Sequence, residues 1–336
     1  MIKKNFNLLQ YLAFFGFGIF LIWWSAKNIN EAGWLEIRNS LLKIKFWYFL
    51  PVAVLLICSH WLRGLRWRLL IEPLGFQPKK SNTFFAVMIG YLANLAIPRL
   101  GEVLKCTIIT RYDKVPADKL IGTMLLERLI DVICLLLVFL LLLFSQSHLI
   151  NSFLQKVFLL QNENSFEFGV NSFVFLLLFF LLPIITFIFF KNKFSNNLLI
   201  VKLKKILSGV WQGFLSIRNV SQKRLFFIHT FLIWFLYLSS TYLGFLALEE
   251  TSLFGFNEAL AVLVFGSVGI ILTPGGFGGY PFMVQQTLMI YGLNANIGWA
   301  FGMITWIAQT FVVVFFGLLS FVLLPFINKK KNGLFK

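Results

Sequence analysis

The chain has 336 residues, 59% of them hydrophobic and 13% charged, with mean hydropathy +0.82 and a formal net charge of +17. A water-soluble domain of this size does not bury that much apolar surface, so the composition excludes a soluble enzyme or binding module and leaves a polytopic membrane protein. The basic excess has no long polar stretch to sit on, which argues against a nucleic-acid interface and assigns the Lys and Arg to loops beside anionic headgroups.

In chain order, the first apolar run is 8–26, behind a basic start. No small-x-small cleavage pattern follows it, so it reads as a retained span. Further runs long enough to cross a hydrocarbon core of roughly 30 Å occupy 46–70, 120–145, 170–190, 225–248 and 297–325. Two other apolar pieces, 82–98 and 257–291, are interrupted by Gly and Pro. The segment 196–218 alternates Leu and Ile with Lys at helical spacing, the pattern of an amphipathic helix on the inner membrane surface.

Loop charge orients these elements. The loop 63–80 carries Arg63, Arg66, Arg68, Lys79 and Lys80, and 191–224 and the C-terminal tail are also basic, so all three are expected on the cytoplasmic side. Loops 145–169 and 248–256 are poor in Lys and Arg and are expected outside. The loop 27–45, with four Lys or Arg, argues the other way. The segment 99–119 carries Arg99, Lys105, Arg111, Lys114 and Lys119. It stays cytoplasmic only if 82–98 dips into the membrane and returns, and 257–291 then dips from the opposite side. The expected fold is all-α: one domain over 1–336, a membrane helix bundle of about six full spans plus two re-entrant helical hairpins in an inverted repeat, as in transporters. Irregular backbone at membrane depth needs protein or water around it, so the hairpin tips are expected to border a polar cavity.

Three constellations are candidates for chemistry. In "TMLLERLIDVICLLLVFLLLLF" (123–144), Glu127, Arg128 and Asp131 form one polar face inside an apolar run. Each charge near the membrane centre costs about 2.5–3.5 kcal/mol on insertion scales, which points either to a substrate or proton path or to ion pairs that lock helices together. In "LANLAIPRLGEVLK" (92–105), Pro98 and Gly101 break the helix, and Asn94, Arg99, Glu102 and Lys105 surround the break. Arg99 suits an anionic headgroup, whereas Glu102 and Lys105, i,i+3 neighbours, suit each other. In "LTPGGFGGYPF" (272–282), Pro274 with Gly275, Gly276 and Gly278 cannot form regular helix. Such a turn cradles a phosphate with backbone N–H groups or serves as a hinge between half-helices. Arg63 and Arg66 share a face at the end of the second span, with Trp61 and Trp67 beside them, and read as interfacial anchors or as an attraction for anionic lipid. Cys58, Cys106 and Cys134 form no CxxC pair, and His60, His148 and His229 are scattered, so neither metal nor cofactor is expected.

Taken together and in register, "RGLRWRLLIEPLG", "GYLANLAIPRLGEVLK", "ERLIDVICLLL" and "TPGGFGGY" resemble the lysylphosphatidylglycerol synthase transmembrane-region family over roughly 8–325. The resemblance implies a lipid-translocating domain with re-entrant segments, whose members fused to an aminoacyl-transferase move aminoacylated phosphatidylglycerol between leaflets. The family's polar motif positions fall here at Asn94, Pro98, Arg99, Gly101, Glu102, Glu127, Arg128, Asp131, Pro274, Gly275, Gly276 and Gly278. Many relatives carry a Glu shortly after the last glycine run, where this chain has Tyr280 and Pro281, a departure that bears on which lipid is taken. The synthase domain is absent from the sequence.

The favoured reading is a non-enzymatic flippase for a phospholipid or other lipid phosphate. Substrate contacts are expected from Arg99, Arg128, Glu127, Asp131, Glu102, Lys105, Asn94, Gly275, Gly276 and Gly278, with Pro98, Gly101 and Pro274 as hinges. The alternatives are a membrane-embedded lipid-modifying transferase and a non-catalytic partner of a lipid aminoacyl-transferase. The expected partners are membrane lipids and, from the fused relatives, a second copy of the chain. The expected location is the inner (plasma) membrane, multi-pass, with both termini cytoplasmic.

Overall fold

The computed structural model describes residues 15–27, 29–146 and 220–329. The predicted span 170–190, the amphipathic segment 196–218 and the start of the first span lie outside the described residues. The chain divides into two compact units, Met1–Arg128 with Asn219–Lys336, and Leu129–Arg218. Within the second unit the described part is the helical stretch that ends at Ser145.

The described elements are all helical: α1 (Phe15–Ala26), α2 (Glu31–Leu42), α3 (Phe49–Ile71), α4 (Lys80–Ala96), α5 (Leu100–Asp113), α6 (Ala117–Ser145), α7 (Lys223–Phe245), α8 (Phe256–Leu272), α9 (Gly279–Ile290) and α10 (Ala295–Lys329). Among the described residues there are four stretches long and apolar enough to cross a membrane, Phe46–Leu74, Ala117–Ser145, Lys223–Phe245 and Ala295–Lys329. The protein is a multi-pass membrane protein.

The stretch 27–45, read from sequence as a loop, contains α2. Asn30 supplies the reason: its side chain accepts from the Gly33 N–H at 2.8 Å, capping the helix, and Glu31 sits in the first turn against the positive end of the dipole. The segment 99–119, also read as a loop, is mostly α5.

The piece 257–291 is a helical hairpin in itself, whereas 82–98, expected to dip and return alone, is one arm, α4, and its hairpin is completed by α5 from within 99–119. α4 stops at Ala96 because Ile97, ahead of Pro98, is extended. Arg99 then turns at a φ of 69°, and the Gly101 N–H donates to Asn94 Oδ1 at 2.8 Å, so α4 caps the helix that packs against it. The two arms cross so closely that a β-carbon on Gly101 would overlap the Gly90 carbonyl. At the base of this hairpin the Lys79 N–H and the Asn82 amide donate to Asp113 at 3.1 and 2.8 Å. The second hairpin repeats the plan. α8 stops at Leu272, Pro274 lies two residues past its end as Pro98 does past α4, and Gly275, Gly276 and Gly278 turn at positive φ before α9. At its base the rings of Phe254 and Tyr291 lie 6.5 Å apart.

α10 shows how the hairpins are disposed. With 35 residues at about 1.5 Å each, it is longer than a hydrocarbon core is thick. Near its start, the Gln285 amide of α9 donates to Ala295 O at 3.0 Å. At its other end, the Asn328 amide donates to Asn82 at 2.8 Å and Asn328 Oδ1 accepts from Lys79 Nζ at 3.1 Å. The bases of the hairpins therefore stand at opposite ends of α10, and their tips meet between: a β-carbon on Gly275 would lie 2.6 Å from Leu95 Cδ2.

Among the described helices, one run of lengths recurs. α3 to α6 have 23, 17, 14 and 29 residues; α7 to α10 have 23, 17, 12 and 35. α3 and α7 pack antiparallel, with the Lys45 N–H donating to Ala247 O at one end and Arg63 meeting Tyr237 further along. The core lies among α7, α8, α9 and α10, around Phe245, Leu248, Val262, Val284, Leu288 and Phe301.

Candidate functional site

The polar residues of the first half converge on Glu127. α3 continues through Ile71, so Arg63 and Arg66, expected in an interfacial loop, are instead inside the bundle, 8% and 0% exposed. Lys105 reaches in from α5 and Glu127 from α6. Lys105 Nζ lies 2.5 Å from Glu127 Oε2, while Arg66 Nη2 and Arg63 Nη1 lie 3.8 and 4.0 Å from Glu127 Oε1. One carboxylate thus gathers three cations at 4% exposure of its own. Desolvating so many charges is costly, and mutual pairing is what makes the burial tolerable.

Neutral groups complete the site. The Arg63 Nε–H donates to the Tyr237 hydroxyl at 2.9 Å. The Lys105 ammonium sits 4.2 Å over the Trp67 ring, whose Nε1–H donates to Thr123 Oγ1 at 3.0 Å, fixing that ring under the cation. His60 packs edge-on against Tyr91 at 5.0 Å.

Arg128 lies next to Glu127 in sequence but faces outward. Its Nε is 3.2 Å from Glu102 Oε1, and both side chains are far more accessible than the cluster, at 48% and 28%. Asp131 lies one turn further along α6, in the second unit. The structure therefore brings Glu127 to Lys105, Arg128 to Glu102, and Asn94 to Gly101. It leaves Arg99 exposed at the tip of the first hairpin, where no described residue bonds to its guanidinium.

The glycine-rich turn is surrounded by protein. Gly275 meets Leu95 and its carbonyl accepts from Trp306 Nε1–H at 3.0 Å. Gly276 donates its N–H to Thr273 O within the turn. Gly278 abuts the Gly18 carbonyl of α1, and the Phe15 ring stacks on Phe277 at 5.0 Å. Beyond the turn, Gln309 Nε2 donates to the Tyr280 hydroxyl at 3.1 Å. The tips, expected to border a cavity, touch each other. A cavity of about 530 Å³ lies elsewhere, between α3, α4 and α10, with Cys58, Trp61, Phe84 and Leu319 in its apolar lining.

Sequence reasoning read Arg63, Arg66 and Trp67 as an interfacial group and passed over Tyr237. The available signal was the i,i+3 spacing of the two arginines inside a run that keeps helical character to Ile71.

A cluster of two arginines and a lysine around a single carboxylate is suited to an anion such as a phosphate, with planar forks for bidentate contact and Glu127 as the competing counter-charge. No curated protein and no solved structure matches the chain. The profile of the lysylphosphatidylglycerol synthase TM region matches residues 9–317, and the chain belongs to that family.

Proposed function

We propose that the protein carries a phosphate-bearing lipid headgroup from one leaflet to the other, the acyl tails remaining in the bilayer. The observation that carries this reading is Glu127 shared among Lys105, Arg66 and Arg63, all buried within a membrane helix bundle. Glu127 is the cluster's own anion; an incoming phosphate competes with its carboxylate for the same donors and is released when the carboxylate returns. The more accessible Arg128–Glu102 pair receives the headgroup on the way in. Because the phosphate takes the place of the carboxylate, the three cations stay paired throughout the exchange.

The two hairpins are re-entrant from opposite leaflets and belong to an inverted repeat, the architecture in which secondary transporters build a midplane site. The basic base of the first hairpin faces the cytoplasm, as do both termini, in an inner (plasma) membrane. The work is transport and not covalent modification of lipid.

The test is reconstitution of the full chain in liposomes containing fluorescent phospholipid, with dithionite bleaching the outer leaflet. Wild-type protein makes the inner pool accessible, and Glu127→Gln and Arg66→Gln abolish this while remaining monodisperse. Bleaching that stops at the outer pool, or a covalently altered lipid seen by mass spectrometry, rejects the reading.

A further inference from the structure

α4, the first arm of the first hairpin, is gripped from two sides. α3 packs on it at Gly64, where a β-carbon would lie 3.0 Å from the Phe84 backbone, and α10 packs on it at Gly317, where a β-carbon would lie 2.8 Å from Leu92 Cβ. The cavity of about 530 Å³ is a groove between these two flanking helices, with Phe84 and Phe85 of α4 as its floor. Trp61 and Leu62 form its wall on α3, and Leu319 and Leu323 its wall on α10. Away from the hairpin base, Ile57 and Phe316 join the packed cluster of Val52, Leu56 and Val312, which closes the groove at that end. Trp61 and Leu319 are 39% and 40% exposed and Cys58 is exposed too, so the groove opens sideways. Because α3 and α10 belong to stretches that are long and apolar enough to cross a membrane, it opens onto hydrocarbon.

The lining decides what fills the groove. Its polar side chains are the Cys58 thiol and the Ser320 hydroxyl. A buried water makes about three hydrogen bonds, so walls of this kind stay dry. The groove has the size of a ligand site, and leaving such a volume unfilled costs stability, whereas an acyl chain from the surrounding bilayer matches its surface.

The end toward the hairpin base is basic. Asn328 of α10 donates to Asn82 of α4 and accepts from Lys79 Nζ, which ties the end of α10 to the start of α4. Lys80, one turn before Phe84, and Lys329, six residues past Leu323, are both exposed at this end. The Asp113 carboxylate there already accepts from the Lys79 N–H and the Asn82 amide. An apolar groove with lysines at its mouth complements a phosphodiester joined to hydrocarbon.

We propose that the groove between α3, α4 and α10 seats one acyl chain of a resident glycerophospholipid, with its phosphodiester beside Lys80 and Lys329. This lipid is a fixed constituent that braces the first hairpin. It is separate from any lipid handled at Glu127, because no residue lining the groove belongs to that cluster.

The experiment uses the full chain in liposomes containing phosphatidylglycerol with a diazirine midway along one acyl chain. After irradiation, peptide mass spectrometry is expected to find Cys58, Trp61, Phe84 and Leu319 labelled about tenfold above Phe227 and Phe231, which are exposed on α7. Tenfold is the population ratio that about 1.4 kcal/mol gives. Cys58→Trp and Leu319→Trp fill the groove. In each, labelling of the other lining residues falls to the α7 level, while the melting temperature in detergent stays at or above that of wild type. Native mass spectrometry of the purified protein is expected to retain one phospholipid per chain in wild type and none in Cys58→Trp. Lys80→Gln combined with Lys329→Gln lowers the retained fraction about tenfold. Equal labelling of groove and α7, groove labelling that survives Cys58→Trp, or retention untouched by the lysine substitutions overturns the proposal. In a chain with Cys106 and Cys134 replaced by serine, a Cys58–Cys58 disulfide formed by mild oxidation places a second copy over the groove and overturns it too. Failure of translocation in the dithionite assay leaves the resident lipid standing.

Discussion

Arg63 and Tyr237 hold the same position in two helices of equal length, α3 and α7, and the Arg63 Nε–H donates to the Tyr237 hydroxyl at 2.9 Å. The two runs of helices thus touch at equivalent residues, one charged and one neutral. The same contrast continues on the long helices. Glu127 and Asp131 of α6 correspond, counted from the helix starts, to Thr305 and Gln309 of α10. The described helix lengths recur, whereas the buried ion-pair cluster around Glu127 lies on the first set of helices.

Glu127→Gln leaves three buried cations without their shared carboxylate. Breaking a buried ion pair by removing one partner costs about 3–5 kcal/mol, so the variant is expected to melt well below wild type in detergent. Replacing Lys105 by Met in the same chain recovers part of that loss, and a double-mutant cycle on the melting temperatures measures the coupling. Additive losses would show that the pair is not coupled.

Arg128→Ala provides the contrast. Its partner Glu102 and Arg128 itself are partly solvated, and exposed pairs contribute about 0–1 kcal/mol, so stability is expected to stay within that margin. Translocation in the dithionite assay is nevertheless expected to fall, because the headgroup loses its receiving cation. Unimpaired transport assigns the pair to surface structure alone.

Gly101→Ala and Gly122→Ala separate crowding from helix propensity. At Gly101 the added methyl meets the Gly90 carbonyl and lies 2.7 Å from Asn94 Oδ1, so the hairpin arms must part at a cost of about 1–3 kcal/mol or more. At Gly122, within α6, nothing lies within 4 Å, and the change is expected to be neutral or to stabilise by up to about 1 kcal/mol. Thermal melting of both variants distinguishes the two outcomes.

Asn82→Leu unties the base of the first hairpin. The Asn82 amide bonds Asp113 and Asn328 while fully buried, and each buried polar group left without a partner costs about 1–3 kcal/mol. Hydrogen exchange is expected to rise at Asp113 and at the end of α10 before it rises at the hairpin tip.

Single cysteines test how the hairpins enter the membrane. In a chain with Cys58, Cys106 and Cys134 replaced by serine, cysteines at Lys80 and Lys114 are expected to react with an impermeant maleimide from one side, and cysteines at Leu253 and Ile290 from the other. Opposite-side labelling within either pair would show that hairpin to be a full crossing.

Much of the architecture was legible because hydrocarbon imposes length and composition so strictly. The long apolar runs at 46–70, 120–145, 225–248 and 297–325 became helices within a few residues of the expected ends, and Pro98 and Pro274 broke the chain where the fixed φ of proline requires. α2 was hidden because its signal is a single asparagine cap in a charged stretch that resembles a loop. The centre of the site was only half legible. Glu127 and Lys105 announced themselves as charges in apolar surroundings, while Arg63 and Arg66 sit close enough to a span's end to resemble anchors. Arg63 is buried with its Nε–H on the hydroxyl of Tyr237, far away in sequence, a contact that no local pattern encodes.

The touch between Leu95 and Gly275 has an electrical consequence. Where the two hairpins abut, a leucine side chain fills the approach, and hydrocarbon offers a proton or sodium ion no ligand.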